Sequence, residues 1–170
     1  MTYSPKNENQ KPLLITIILT AISVFCFVYA GHFPKITWLM QLGFVIFATT
    51  AIQIYLRFVL TQFEYCCDDE FLLIYKSVGK RKQLIGKLEL INSGGYLISD
   101  KEYSENKDDY KIKSEYNYTR SFKTQNGYNY VTVIGETNFL VRIEADDEFA
   151  TYVNKRIDDI LKGQKNNDEI

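Results

Sequence analysis

Two uninterrupted apolar runs near the N-terminus limit this chain more than any other feature. Leu13–Phe33 carries no formal charge, and Trp38–Leu60 carries one, Arg57, near its end. A helix rises about 1.5 Å per residue, so ~20 apolar residues cross a ~30 Å hydrocarbon core. Both runs are long enough. Gly31-His32-Phe33-Pro34 between them breaks helix, so the expectation is a membrane α-helical hairpin over 13–60. Overall hydropathy is slightly negative, because the other residues are polar.

A secretory signal is the rival reading of the first run. Lys6 and Lys11 supply a basic end, and Val28-Tyr29-Ala30 before Gly31 fits a small-residue cleavage site. The run exceeds the usual ~7–15-residue signal core, and an uncleaved anchor explains why a second span follows at once. Tyr29 and Trp38 suit the aromatic belt of one interface, and Tyr55 and Tyr65 suit the other. Arg57 reads as snorkelling to headgroups. The basic residues before the first span and after the second outnumber the single Lys35 in the turn, which predicts both termini in the cytoplasm of a two-span cell-membrane protein. Met1–Pro12 reads as a polar tail. Gln41, Gln53 and the Thr49-Thr50 pair are candidates for hydrogen bonds between helices.

After Thr61 the period changes to that of strands. Phe63, Tyr65 and Cys67 alternate with Glu64 and Cys66. Asp68-Asp69-Glu70 reads as a turn, Phe71–Val78 as a strand, Gly79-Lys80 as a turn and Arg81–Ile85 as the returning strand. Further strands are expected at Leu88–Asn92, Tyr96–Ser99, Tyr118–Lys123, Tyr128–Ile134 and Phe139–Glu144. Asn126-Gly127 and Gly135–Asn138 read as hairpin turns. Asp100–Asn117, with six acids and four lysines, reads as an exposed loop or ragged hairpin. Asp146 is a candidate helix cap. Phe149, Tyr152, Val153, Ile157, Ile160 and Leu161 then form one apolar stripe. Gly163 is placed to end the helix, and 164–170 reads as a disordered tail. The expectation for 62–163 is a mainly-β, α+β domain: a small bent sheet or partly open barrel, one end capped by the amphipathic helix.

The opening hairpin Phe63–Ile85 (FEYCCDDEFLLIYKSVGKRKQLI), the closing pair Tyr130–Glu144 (YVTVIGETNFLVRIE) and the helix Asp146–Leu161 resemble the bacterial pleckstrin-homology-like (PH-like) membrane proteins. In that family a pair of membrane helices is followed at once by a PH-like domain. The resemblance is one of layout. It implies a bent seven-stranded antiparallel sheet capped by the C-terminal helix, and a binding or scaffolding role rather than catalysis. Fold alone does not fix function.

Few residues invite a chemical role. Lys80, Arg81 and Lys82 form a basic turn, with Lys76 and Lys87 nearby. Beside a membrane such cations attract anionic phospholipid headgroups; a protein partner and a merely solvated hairpin tip are the other readings. His32, the only histidine, has no catalytic partner in view and reads as a boundary residue. Cys66 and Cys67 are open to acylation or to burial as small hydrophobes. Asp68-Asp69-Glu70 and Asp146-Asp147-Glu148 lack the spacing of a calcium loop, and Gly94-Gly95 lacks a phosphate-loop context. No metal, cofactor or enzyme activity is expected, and the net charge of −1 gives no ground for nucleic acid. The expected partners are the bilayer, anionic headgroups, and a membrane protein or a second copy. The expected function is a non-catalytic interaction or regulatory module. The alternative is an accessory subunit of a transport or secretion complex, recognised through its hairpin.

Overall fold

The computed structural model describes residues 1–5, 10–92, 95–120 and 127–168. It divides into two compact units: Lys6–Thr61, and Met1–Pro5 together with Gln62–Ile170.

The first unit is a helical hairpin. Helix α1 is Lys11–Tyr29, with Pro12 in its first turn where no hydrogen bond is lost. A 3₁₀ turn Ala30–His32 and another at Pro34–Ile36 reverse the chain. Helix α2 is Thr37–Ile54 and runs on as a π-helical segment, Tyr55–Leu60. Continuous helical stretches of 22 and 27 residues result, both apolar and long enough to cross a membrane. The small residues face inward. Ser23, Cys26, Ala30 and Ala51 are buried. Ser23 Oγ donates to the Phe44 carbonyl at 3.3 Å, and Thr37 Oγ1 donates to that of Ala30 at 3.0 Å. A Cβ on Gly43 would sit 3.5 Å from Cys26 Sγ. Small residues let two helices approach closely, as in membrane packing. The expected glutamine contact is not what joins the helices: Gln41 and Gln53 are exposed, and Thr49 and Thr50 donate to carbonyls of their own helix.

The second unit holds two four-stranded sheets. Strands β1 (Thr2–Tyr3), β2 (Thr61–Cys67), β3 (Phe71–Val78) and β4 (Arg81–Glu89) follow one another in space as in sequence. Strands β5 (Ile98–Ser99), β6 (Ile112–Asn117), β7 (Gly127–Ile134) and β8 (Thr137–Glu144) form the second sheet in the order β5-β7-β8-β6. Between β5 and β6 lies helix α3 (Asp100–Glu105), capped by Ser99 Oγ. The last element is α4 (Asp147–Asp168).

Alternation makes the core. Phe63, Tyr65 and Cys67 of β2 point in, as do Leu72 and Ile74 of β3, Tyr130 of β7 and Val141 and Ile143 of β8. The α4 stripe closes over them with Phe149, Val153 and Ile157. Asp146 Oδ1 accepts from the Phe149 amide at 2.8 Å, the expected N-cap. Gly79 and Gly135 both have φ near +60°, the left-handed turn conformation that Gly adopts without strain.

Several expectations need correction. Met1–Pro5 is no tail: β1 adds to the edge of β2, with Thr2 opposite Cys66 and Tyr3 opposite Tyr65. A two-residue strand carries too little pattern to be read from sequence. Tyr65 is no interface aromatic but fully buried. Asp100–Asn117 is not a loop. It forms α3, a 3₁₀ turn at Lys107–Tyr110 and β6, and β6 lies parallel to β8. The sheets are therefore two, one with a parallel pair, where the sequence suggests a single antiparallel sheet of seven strands. A lysine- and glutamate-bearing strand is suited to a sheet edge, and that charge hides it from a hydrophobic pattern. Arg81–Ile85 and the first two residues of the expected strand Leu88–Asn92 are one element, β4, with a register shift opposite Ile74/Tyr75, and Leu90–Asn92 is a 3₁₀ turn. Backbone helix continues past Gly163 to Asp168. Thr119 and Arg120 are irregular, and 121–126, which include the rest of the expected strand and Asn126, lie outside the described residues, as does Gly94.

Candidate functional site

The β3–β4 hairpin presents the predicted cations at different places, and they are not equivalent. Lys82 Nζ pairs with Glu64 Oε1 at 2.7 Å and lies 4.5 Å from the centre of the Tyr75 ring. Lys87 Nζ lies 3.8 Å from that of Phe71. Cation–π contacts of this kind are worth about 0.5–1 kcal/mol at exposed sites. Both lysines thus cover half-buried aromatics on the outer face of the sheet. Lys76, Lys80 and Arg81 make no ion pair among the described residues, and the tip residues Lys80 and Arg81 are exposed. The five predicted cations resolve into two that contact aromatic rings of the sheet and three that make no ion pair among the described residues.

Register fixes where the tip lies in its own sheet. Val78 is opposite Arg81, and Ser77 is opposite Lys82. The Lys82–Glu64 pair brings this level to the beginning of β2. Strand β1 runs against β2, and Ser4 Oγ donates to the Phe63 carbonyl at 3.3 Å, so Pro5 reaches the same level. Three features share one end of the sheet: the basic tip, the residue before the hairpin segment and the residue after it.

The predicted interface residues on the helices are exposed. Trp38 is 66% exposed and Tyr29 41%. Tyr55 and Arg57 stand on the π-helical segment, with the Arg57 guanidinium 5.5 Å from the centre of the Phe58 ring. The His32 ring lies 5.6 Å from that of Tyr29.

Other polar groups hold the fold together. The buried Tyr65 hydroxyl donates to the Tyr118 carbonyl at 2.8 Å and accepts from the Glu144 amide at 3.2 Å, which ties β2 to the second sheet. Burial pushes its phenol above the ordinary range. Asn154 brackets the Leu97 peptide, accepting from its N–H at 2.7 Å and donating to its carbonyl at 3.0 Å. Arg142 pairs with Asp100 at 3.3 Å and Glu115 at 3.0 Å. Burial lowers the affinity of its guanidinium for the proton, and the two carboxylates more than reverse that. Asn129 Nδ2 donates to the same Asp100, while its buried Oδ1 has no hydrogen-bond partner among the described residues. Sequence reading missed this network because its members come from four separate elements.

The acidic runs are in structural use. Asp69 pairs with Arg156 at 3.0 Å, and Asp147 accepts from the Tyr128 hydroxyl. Among the described residues no three His, Cys, Asp or Glu side chains converge as a metal site. Cys67 is buried and Cys66 half-buried. Burial pushes the Cys67 thiol up to about 11, well away from a reactive thiolate.

No family model, curated protein or solved structure matches this chain. Its functional reading therefore rests on its own geometry.

Proposed function

We propose that this chain is a non-catalytic, membrane-tethered module: a two-span hairpin that holds a PH-like domain at the cytoplasmic face of the cell membrane. The observation that supports it is the shared end of the first sheet. The Lys80–Arg81 tip lies level with both residues through which the chain passes to and from the hairpin. A tip so connected is held within reach of the headgroups, where each cation gains about 1 kcal/mol from anionic lipid. Tethering raises the effective concentration of the domain for anything else on that surface. The pairing of β1 with β2 supports a hairpin that leaves and returns on one side.

The test uses the full chain in nanodiscs, with hydrogen exchange followed at Ser77–Lys82. Anionic lipid is expected to slow exchange there relative to neutral lipid, and moderate salt or Lys80→Glu/Arg81→Glu to restore it. Equal exchange in the two lipids would remove headgroup contact and leave a protein partner. The accessory-subunit reading draws on Gln41 and Gln53, whose amides are exposed on α2. It predicts that Gln41→Leu/Gln53→Leu abolishes co-purification of a membrane partner, and that the tip is dispensable.

A further inference from the structure

We propose that the hairpin pairs with a second copy of itself along one face of α2, through Gln53. The inference rests on the hairpin lying in a bilayer and is independent of the headgroup contact. Leu39, Leu42, Ile46, Thr49 and Gln53 recur at alternating spacings of three and four residues, the heptad stripe along which parallel helices pack. All five are exposed. Leu39, Leu42 and Ile46 also line an open apolar groove of about 310 Å³, shared with Gly43 and Cys26. Gly43 carries no side chain to fill it.

Gln53 points to the occupant. Its amide makes no hydrogen bond to another described residue, whereas Thr49 and Thr50 donate to carbonyls of their own helix. It stands seven residues before Leu60, the end of the π-helical segment, or about 10 Å along a helix. Hydrocarbon offers that amide no water, and a polar group left unpaired there is costly. Gln41 differs: it stands off the stripe and only four residues after Thr37, where α2 begins.

Symmetry selects a second copy. Two copies inserted the same way in one bilayer are related by an axis along its normal, so a residue at that axis meets itself at equal depth. Only a group that both donates and accepts can satisfy its own image. A primary amide does so, each copy giving one N–H and accepting one at its carbonyl. A polar residue at a single heptad position also fixes the register of the pair. The groove beside Gly43 then receives apolar side chains of the opposing stripe.

The test reconstitutes the full chain in phosphatidylcholine vesicles and checks retention by carbonate extraction. Energy transfer between copies dyed on a C-terminal tag is followed as the protein is diluted in lipid. The chain is expected to dimerise, Gln53→Leu to weaken the dimer by roughly tenfold, and Gln53→Asn, which keeps an amide, to retain it. Oxidative cross-linking in Cys26→Ala reads the face. Ile46→Cys, on the stripe, is expected to give a covalent dimer, and Ile52→Cys, on another face of α2, is not. A retained chain that stays monomeric at every density would overturn self-pairing and leave the face to another membrane protein. An unchanged dimer in Gln53→Leu, or equal cross-linking at the two positions, would overturn this interface. Loss of the chain from the vesicles in carbonate would instead overturn the membrane hairpin on which the inference stands.

Discussion

The hairpin and the domain use the same apolar residue types in opposite ways. In the domain, Leu72, Ile74, Tyr130 and Phe149 are fully buried, and among the described charged residues only Arg120 is buried. In the hairpin, Ile17, Phe27 and Trp38 are more than half exposed, whereas Ser23, Cys26 and Ala51 are buried. Water drives large apolar groups inward, and lipid does not, so helices in lipid pack through their small residues. An exposed apolar surface of this extent is foreign to a soluble fold. The inversion supports the proposal that the two units are built for different solvents, with the change at Thr61, where the π-helical segment passes directly into β2.

Substitutions break this comparison in a definite order. Phe149→Ala opens a cavity under α4 and is expected to cost the domain about 3–5 kcal/mol, measured by denaturant unfolding of the nanodisc-held protein. Phe27→Ala, the same truncation on the outward face of α1, is expected to leave that transition unmoved. Next comes Ile22→Lys, outward and mid-helix. A lysine there costs about 2.5–3.5 kcal/mol of insertion, read as loss of carbonate-resistant membrane association, while Leu84→Lys on the exposed face of β4 is expected within about 0.5 kcal/mol of neutral. Asp146→Ala removes the α4 cap and is expected to cost about 1 kcal/mol, with no effect on the hairpin.

A separate dependence is set by pH. The Cys67 proton is held to about 11 in the folded domain, against 9.0 ordinarily, and Tyr128 is raised to about 12, first by burial and then by its bond to Asp147. A raised folded pKa stabilises the domain fully below the unfolded value, and that contribution is lost as pH rises through the folded one. Domain stability is therefore expected to fall above pH 9. Cys67→Ala is expected to flatten the part of the curve between 9 and 11, as followed by thermal unfolding.

What could be read from sequence followed from pattern strength. The two long apolar helices were legible because each run is long and almost free of charge. Strand β2 alternates cleanly, β3, β7 and β8 are short runs rich in apolar and aromatic residues bounded by turn residues, and the α4 stripe and its Asp146 cap lie at helical spacing. β1 escaped notice because two residues hold no period. β6 escaped because Lys113 and Glu115 give an edge strand the look of a loop. Tyr65 was misplaced because one tyrosine near a span carries no sign of which side of the change in solvent it occupies. Of the cationic cluster, sequence located all five residues. It could not tell that Lys82 and Lys87 are committed to Tyr75, Glu64 and Phe71, since those contacts depend on which residues share the outer face of the sheet.

The measurement that tests the two-solvent account most directly is side-specific labelling in intact cells. A cysteine in place of Lys35, in the turn between α1 and α2, is compared with one in place of Glu136, at the exposed β7–β8 turn. A membrane-impermeant maleimide is predicted to label Lys35→Cys from outside, and Glu136→Cys only after lysis. Labelling of both from outside, or of neither until lysis, would contradict a hairpin that crosses the bilayer and returns.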